Sequence, residues 1–374
     1  MPASTDVHEA PRPHPLSHEV LQGGLYADEF FWRDHQPWLA DSGYMLRPRY
    51  RQDWEPSWLK TKKDPLFCED GKGTLRVKVM DAVRTSDGRV VVLKQVKKSY
   101  TPDEEEMNRL FTQSADSQNH VAPVYEVLQS PLDEDIIFLV MPYLVRINTV
   151  KFATIGEVVE CLRQLFEGLC FMHRNHVAHC DIHVNNILMD PVPLFSELPH
   201  PVRLYKSYDF KRRVTQHTRT AHPTTYYYID LGLSNRCDPP GASPLIHVSI
   251  GGDRTVPEYK DPSALRDPYK IDVYCLGNVI REEFLEEHDC FDFFKPLVVE
   301  MMQIDPGQRP SAEEAFARFE QLRASLTERT LRSRVIARGE FKVAGLYRAC
   351  RHAFRTLYWF ATGTPALPAP HGSL

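Results

Sequence analysis

Apolar positions change their spacing along this chain, and the changes mark its elements. Residues 25–59 carry a dense aromatic set at irregular intervals, Tyr26, Phe30, Phe31, Trp32, Trp38, Tyr44, Tyr50, Trp54 and Trp58. That density reads as a strap packed on a domain rather than a free tail. The stretch TLRVKVMDAVRTSDGRVVVLKQVK at 74–97 holds two β-rich runs around Ser86-Asp87-Gly88, the signature of a hairpin with a short turn. In TPDEEEMNRLFTQ, Thr101 suits an N-cap, Pro102 the first helical position, and the acids the positive start of a helix. DEDIIFLVMPY at 133–143 is another β-run. Val158, Leu162, Leu165, Leu169 and Met172 then step by four, three, four and three, which makes one face of a helix over 154–176. The second half reads as mostly helical, with long irregular stretches at 190–228 and 233–262. No repeat recurs. A β-rich first part followed by an α-rich second part predicts an α+β protein in two lobes.

Composition narrows the class. The 374 residues are 42% hydrophobic and 25% charged, ordinary for a globular chain, with a net charge of −5 and 29 prolines. An acidic balance argues against a protein that grips nucleic acid, and many prolines suit long ordered loops. None of the eight cysteines forms a CxxC pair, so neither a zinc ribbon nor a thioredoxin-like site is indicated. The start, MPASTDVHEAPRPHP, lacks the apolar core of a signal peptide. The longest apolar run, IIFLVM at 136–141, is too short to span a bilayer. The expectation is a reduced, intracellular protein, cytoplasmic or nuclear, with no transmembrane segment.

The chemistry concentrates in three places. HVAHCDIHVNNILMD at 176–190 follows the amphipathic helix directly. From one loop, Asp181 can accept a hydroxyl proton and Asn186 can offer an oxygen to a hard cation such as Mg2+. A polar loop with incidental Asp and Asn is the plainer reading of the same residues. In YYYIDLGLS at 226–234 an apolar β-run ends at Asp230, and Gly232 permits a sharp turn. A carboxylate there suits a metal or caps a loop. Lys94 ends a strand otherwise lined by valines and needs an anionic partner or a route to water, and Glu106 is the candidate partner.

Taken in order, these pieces resemble the eukaryotic protein kinase family over about 70–325. Lys94 in VVLK is similar to the lysine of the VAIK strand, and Glu106 to the helix glutamate that pairs with it. Met141-Pro142-Tyr143 resembles the hinge that meets adenine. His179-Cys180-Asp181 with Asn186 resembles the HRDxxxxN loop, and Asp230-Leu231-Gly232 the DFG site. Val256-Pro257-Glu258, Asp272 to Gly277, and Asp305-Pro306 with Arg309-Pro310 resemble APE, DVWSLG and the DPxxRP segment. The long terminal arms resemble those of divergent fungal kinase-like proteins.

The resemblance implies a small β-rich N-lobe at 71–144 and a larger helical C-lobe at 145–325 with an insertion at 191–225. Around them lie a disordered segment 1–24, an aromatic extension 25–70 packed on the N-lobe, and a basic extension 326–374. It implies ATP and Mg2+ as cofactors and a protein Ser/Thr hydroxyl as acceptor. Lys94, fixed by Glu106, would hold phosphates. Met141 and Tyr143 would meet the base. Asn186 and Asp230 would hold the metal, and Asp181 would orient and deprotonate the acceptor. Glu258 and Arg309 would form a structural ion pair.

Three departures stand against the pattern. KGTLRVKV at 72–79 falls on the glycine-rich loop without its glycines in place; only Gly71 and Gly73 lie nearby. Cys180 replaces the arginine that binds an activation-loop phosphate, so activity should not depend on a phosphate at Ser243, Ser249 or Thr255. His183 stands where a lysine is usual and would donate to the γ-phosphate more weakly than a cation. These motivate a second reading, a pseudokinase that keeps the fold as a binding or scaffold module. A third follows from His179-Cys180-Asp181-Ile182-His183, which also resembles the HGDxH loop of aminoglycoside and choline phosphotransferases.

Two segments fall outside the catalytic pattern. The stretch between Asn186 and Asp230 is far longer than usual, and carries Arg203, Lys206, Lys211, Arg212, Arg213 and Arg219 beside Tyr205, Tyr208 and Phe210. It reads as a solvated loop or a site for acidic partners. In the tail, Val343, Tyr347, Cys350, Phe354, Leu357 and Ala361 form one helical face, with Arg348, Arg351 and Arg355 on another. Docking of this helix on the lobe is the default, and an anionic membrane surface the alternative partner.

Overall fold

A computed structural model describes residues 24–74, 76–237, 245–261 and 263–368. The expected disorder over 1–24, Gly24 aside, and Ser243 therefore lie outside the described residues. The chain forms two compact units. One comprises Met1–Glu106, Pro123–Tyr143 and Glu197–Thr215, the other Met107–Ala122, Leu144–Ser196 and Gln216–Leu374.

The first unit is built on an antiparallel five-stranded sheet of order β1-β2-β3-β5-β4. Its strands are β1 (Tyr44–Leu46), β2 (Val79–Arg84), β3 (Val90–Lys97), β4 (Glu126–Gln129) and β5 (Ile136–Pro142). Alternation sorts the strand residues between the faces. Met80, Ala82, Val91, Leu93, Phe138 and Val140 pack with Trp32 and Leu39 of helix α1 (Glu29–Asp41) and with Tyr44, Leu46 and Tyr50. The aromatic extension, which also includes the short helix α2 (Ser57–Thr61), thus supplies five of the twelve buried residues of this core. A buried bidentate pair, Arg49 to Glu29 at 2.8 and 2.7 Å, holds it.

The remaining cleft-type face carries Asp81, Val92, Lys94, Leu139 and Met141, which the register places in adjoining rows: Asp81 opposite Val92, Val92 opposite Met141, and Lys94 between Val79 and Leu139. Helix α3 (Glu104–Thr112) begins at Glu104, two residues later than Pro102 suggested, because Thr101 to Asp103 form a turn. A short hairpin, β9 (Pro199–His200) with β10 (Arg203–Ser207), also belongs to this unit. The expected C-lobe insertion 191–225 is therefore corrected. Its middle, Glu197–Thr215, joins the first unit, because Tyr208 and Pro199 bond to Asp81 and Tyr143 there.

The second unit is helical. Its axis is α4 (Ile155–Arg174), capped by the Thr154 hydroxyl accepting from the Glu157 amide at 3.1 Å. Val158, Leu162, Leu165, Leu169 and Met172 are all fully buried. Against α4 lies a three-stranded sheet of order β11-β8-β6, from β6 (Val145–Arg146), β8 (Ile187–Met189) and β11 (Tyr226–Tyr228). β7 (Val177–Ala178) pairs with β12 (Asn235–Arg236). Helices α5 (Pro268–Ile280), α6 (Lys295–Met301), α7 (Ala312–Ser325) and α8 (Glu328–Arg332) complete the body. Arg309 reaches both oxygens of Glu258 at 2.7 Å, closing the expected ion pair.

The basic tail forms α9 (Lys342–Ala361). Its orientation differs from the default expectation. Trp359 is buried, whereas Val343, Tyr347, Cys350, Phe354 and Leu357 are exposed. No helix among the described residues is long and apolar enough to cross a membrane.

Candidate active site

In the first unit, Lys94 projects from β3 and forms an ion pair with Glu104. Glu104 is 3% exposed, whereas Glu106 lies on the exposed side of α3. The partner assigned at Glu106 is thus corrected to Glu104. The cause is periodicity: Glu104, Met107, Asn108 and Phe111 recur at i, i+3, i+4 and i+7 and are all buried. Counting back from Phe111 would have selected Glu104 from the sequence.

The row beside Lys94 holds a feature the motif reading missed. Asp81, 6% exposed, sits in register with Val92 and Met141. Its carboxylate lies 3.2 Å from Arg47 Nε and accepts from Tyr208 Oη at 2.8 Å. The buried pair raises the Arg47 pKa through the Asp81 charge, against a desolvation cost that is the larger influence. Burial, then Asp81, raises the Tyr208 phenol as well. Tyr143, expected at the base, instead donates its hydroxyl to the Pro199 carbonyl at 3.0 Å. The sequence did contain a signal: a lone acid inside the apolar run VKVMDAV needs a cation.

The segment corresponding to the glycine-rich loop is held from the other side. Asp70, Gly71, Lys72 and Gly73 are buried. Their carbonyls and neighbours are clasped by Arg49 Nη1 to Asp70 at 3.0 Å, Arg47 Nη1 to Lys72 at 2.8 Å, and Trp32 Nε1 to Val77 at 2.9 Å. A Cβ on Gly71 would lie 2.1 Å from the Pro65 carbonyl oxygen, and one on Gly73 2.8 Å from Glu29 Oε1. These two glycines therefore serve close packing on the aromatic extension. Burial, then the Arg203 charge, pushes the Lys72 pKa down to about 8.

In the second unit, Asp181, His183 and Asn186 come together, and Asp230 follows the strand paired beside Asn186. Asp272 of α5 accepts the backbone amides of His179 and Cys180, each at 2.7 Å, and so sets the loop. Cys180 sits at a left-handed φ of 61°, an uncommon conformation for its type. Asn186 Nδ2 donates to the Asp181 carbonyl at 3.0 Å and to Asp181 Oδ2 at 2.8 Å. Its Oδ1 has no hydrogen bond among the described residues, so it is the atom a cation could use.

Asp181 Oδ1 accepts from the Gly252 amide at 2.5 Å, and a Cβ on Gly251 would lie 2.6 Å from the Cys180 carbonyl oxygen. The Gly251-Gly252 pair, unassigned from sequence, is what lets this backbone reach the carboxylate. His183 Nδ1 accepts from the Asn185 amide, which leaves the proton of a neutral ring on Nε2, 3.7 Å from Asp181 Oδ2. Ile229 donates to the Asn186 carbonyl at 3.0 Å, one step beyond the Tyr228–Ile187 pair, so Asn186 and Asp230 stand at the same end of the β8–β11 ladder. Asp230 itself adopts a left-handed φ of 69°. No cluster of three or more His, Cys, Asp or Glu suited to a metal occurs among the described residues. A site of one carboxylate and one carboxamide does suit Mg2+, which takes its other oxygens from phosphate and water.

Residues 71–227 match the family model for the protein kinase domain. The chain is 29% identical over 130 residues to NUAK family SNF1-like kinase 1 of Homo sapiens, covering 32% of this chain and 19% of that protein. It is 29% identical over 132 residues to cyclin-dependent kinase F-4 of Oryza sativa subsp. japonica, covering 33% of this chain and 28% of that protein. The match thus spans less than a third of the length of these curated relatives. The ordered motifs, the sheet with its paired lysine and the loop held by Asp272 agree with the match, so residues 71–227 are similar to the protein kinase domain.

Proposed function

We propose that this protein transfers the γ-phosphate of ATP to a Ser/Thr hydroxyl of a protein substrate. The observation that carries the reading is the Asp181–Asn186 pair, in which the carboxamide both fixes the carboxylate and keeps one oxygen for a cation. In this scheme Lys94, held by Glu104, neutralises phosphate charge. Asn186 and Asp230 hold Mg2+, which when bound offsets charge on the phosphates. Asp181 takes the acceptor proton once one of its two oxygens is released from Gly252 or Asn186. His183 supplies a weaker donor than a lysine would. Radiolabelled phosphate transfer from Mg-ATP to a generic basic protein tests it. Asp181→Ala and Asp230→Ala should each lower the rate by about 10^2–10^4-fold; an unchanged rate refutes the assignment.

A second reading, an interaction module without phosphotransfer, is favoured by the Asp81–Arg47–Tyr208 cluster. Its Asp81 stands in register with Val92 and, through it, with Met141, which the family resemblance assigns to the hinge that meets adenine. Thermal melting separates the two. A ligand that binds only the native state raises its melting temperature. An upward shift with millimolar Mg-ATP supports the enzyme, and an unmoved melting temperature the module.

A further inference from the structure

Helix α9 is fixed to the second unit by one side only. His352 shares a 2.8 Å hydrogen bond with the Arg332 carbonyl, Arg332 donates to the Thr364 carbonyl at 2.8 Å, and Trp359 is 2% exposed. The chain beyond the helix returns to the start of α4, where a Cβ on Gly156 would lie 2.2 Å from the Ala366 carbonyl oxygen. The helix is therefore seated, and its outward face is a structural feature of the unit.

That outward face is apolar along its whole length. Val343, Phe354 and Leu357 are 84%, 74% and 66% exposed, with Leu346, Tyr347 and Tyr358 beside them. At 1.5 Å per residue the stripe from Val343 to Leu357 runs about 21 Å. Isolated exposed hydrophobics are ordinary, but a continuous stripe marks an interaction surface. One flank is basic, with Arg348, Arg351 and Arg355, and Lys342 stands at the N-terminal end.

Positive charge is in excess here. No Asp or Glu occurs in 341–374, and the nearest acid, Glu340, is taken up by Arg334 and Arg348. Arg355 Nε and Arg332 Nη1 find no acceptor among the described residues. Burial, then the Arg351 charge, lowers the Arg355 pKa, against a smaller opposing influence of Glu157.

We propose that α9 docks the second unit on an anionic lipid bilayer, lying in the plane of the interface with its Val343–Leu357 stripe at the headgroup–acyl boundary and its lysine and arginines against lipid phosphates. The pattern is that of an interfacial helix, with an apolar face, aromatic residues and a cationic polar flank. A flat negative surface satisfies both sides at once: it accepts the stripe along its full length and provides the missing counter-charge. The proposal does not depend on phosphotransfer.

Vesicle sedimentation of the full chain tests it, with phosphatidylcholine alone or mixed with phosphatidylserine. Binding should require phosphatidylserine. Arg351→Gln with Arg355→Gln should weaken it about tenfold or more. Phe354→Ser with Leu357→Ser should weaken it at least as much. Circular dichroism confirms that each variant retains its fold.

Cys350, exposed on the stripe, provides a readout that needs no destabilising change. An environment-sensitive fluorophore there should shift to the blue with phosphatidylserine vesicles. Three results overturn the proposal. They are no vesicle binding, equal binding to neutral vesicles, and a dimer by light scattering that the Phe354/Leu357 variant dissociates while lipid binding is absent. The last assigns the stripe to a second copy of this chain.

Discussion

At the scale of single residues, charge placement is decided by burial. Glu104 and Glu106 are two positions apart on α3, which is more than half a turn, and Glu104 pairs with Lys94 from the buried stripe. Glu104→Gln should slow phosphate transfer about tenfold or more, a loss of ~1.4 kcal/mol of transition-state stabilisation, while Glu106→Gln should leave it nearly unchanged. Initial rates for the two variants check this, and equal losses would contradict it.

Lys72 shows the opposite relation, a charge held where the fold disfavours it. Its folded pKa of about 8 lies below the ordinary 10.5, so folding is penalised while the amine is charged. That penalty is complete below pH 8 and lifts as pH rises through the window from 8 to 10.5. Urea unfolding of the wild type should therefore gain stability across this window relative to Lys72→Met. At pH 7 the methionine variant should be the more stable, by about 1 kcal/mol or more.

At the scale of elements, the β9–β10 hairpin and strand β2 are coupled by a buried carboxylate. Two groups from distant parts of the sequence share Asp81, Arg47 by charge and Tyr208 by a 2.8 Å hydrogen bond, while the Tyr143 hydroxyl closes the other end of the hairpin at the Pro199 carbonyl. Removing Asp81 alone strands a buried guanidinium, which typically costs about 3–5 kcal/mol. Tyr208→Phe keeps the ring and removes only the bond to Asp81. If the hairpin competes with nucleotide, this variant should bind a fluorescent ATP analogue more tightly than wild type by fluorescence titration. An unchanged affinity would show that the hairpin and the nucleotide do not compete.

The loop that carries Asp181 is the second coupled element, since Asp272 sets both His179 and Cys180 from α5. Cys180 cannot replace the arginine of the family pattern as a phosphate receptor. Its thiol is fully buried beside Asp272, and desolvation raises its pKa well above the usual range, so it carries no charge. Alanine at Ser249 or Thr255 should accordingly leave the transfer rate within about twofold of wild type, unless the residue's native contacts are lost. Thr255 is already committed to Asp253, with its hydroxyl at 2.7 Å.

At the scale of the molecule, the two units are stabilised by different means. The first recruits its N-terminal extension: Trp32, Leu39 and Tyr50 complete a core that five strands would otherwise leave open. The second is organised around α4, whose two sides are both buried, and around the Arg309–Glu258 pair. Arg309 is 2% exposed and spends its donors on Glu258 and on the carbonyls of Gln303 and Lys270. Glu258→Gln should lower the stability of the second unit by about 3–5 kcal/mol. Native-state hydrogen exchange would locate the loss in α5 and α7, with β1 to β5 little affected.

Local patterns by themselves determined the class of fold, the β-rich part before the helical part, and the face of α4, because periodicity of 2 or of 3.6 residues is imposed by the backbone. They also marked which polar residues need partners. Asp181, Asn186, Asp230 and Lys94 stand out because acids, amides and a lysine beside apolar runs require partners. What only the tertiary structure decided is which partner each one finds. Glu104 replaces Glu106 because of where α3 starts. Gly73 packs on the extension because Glu29 and Tyr26, more than forty positions away in sequence, arrive there. Asp81 meets Arg47 and Tyr208, and α9 turns its apolar stripe outward because Trp359 and His352 claim the body. Each of these is a competition between distant segments for the same buried space, and a linear pattern holds no record of which segment wins.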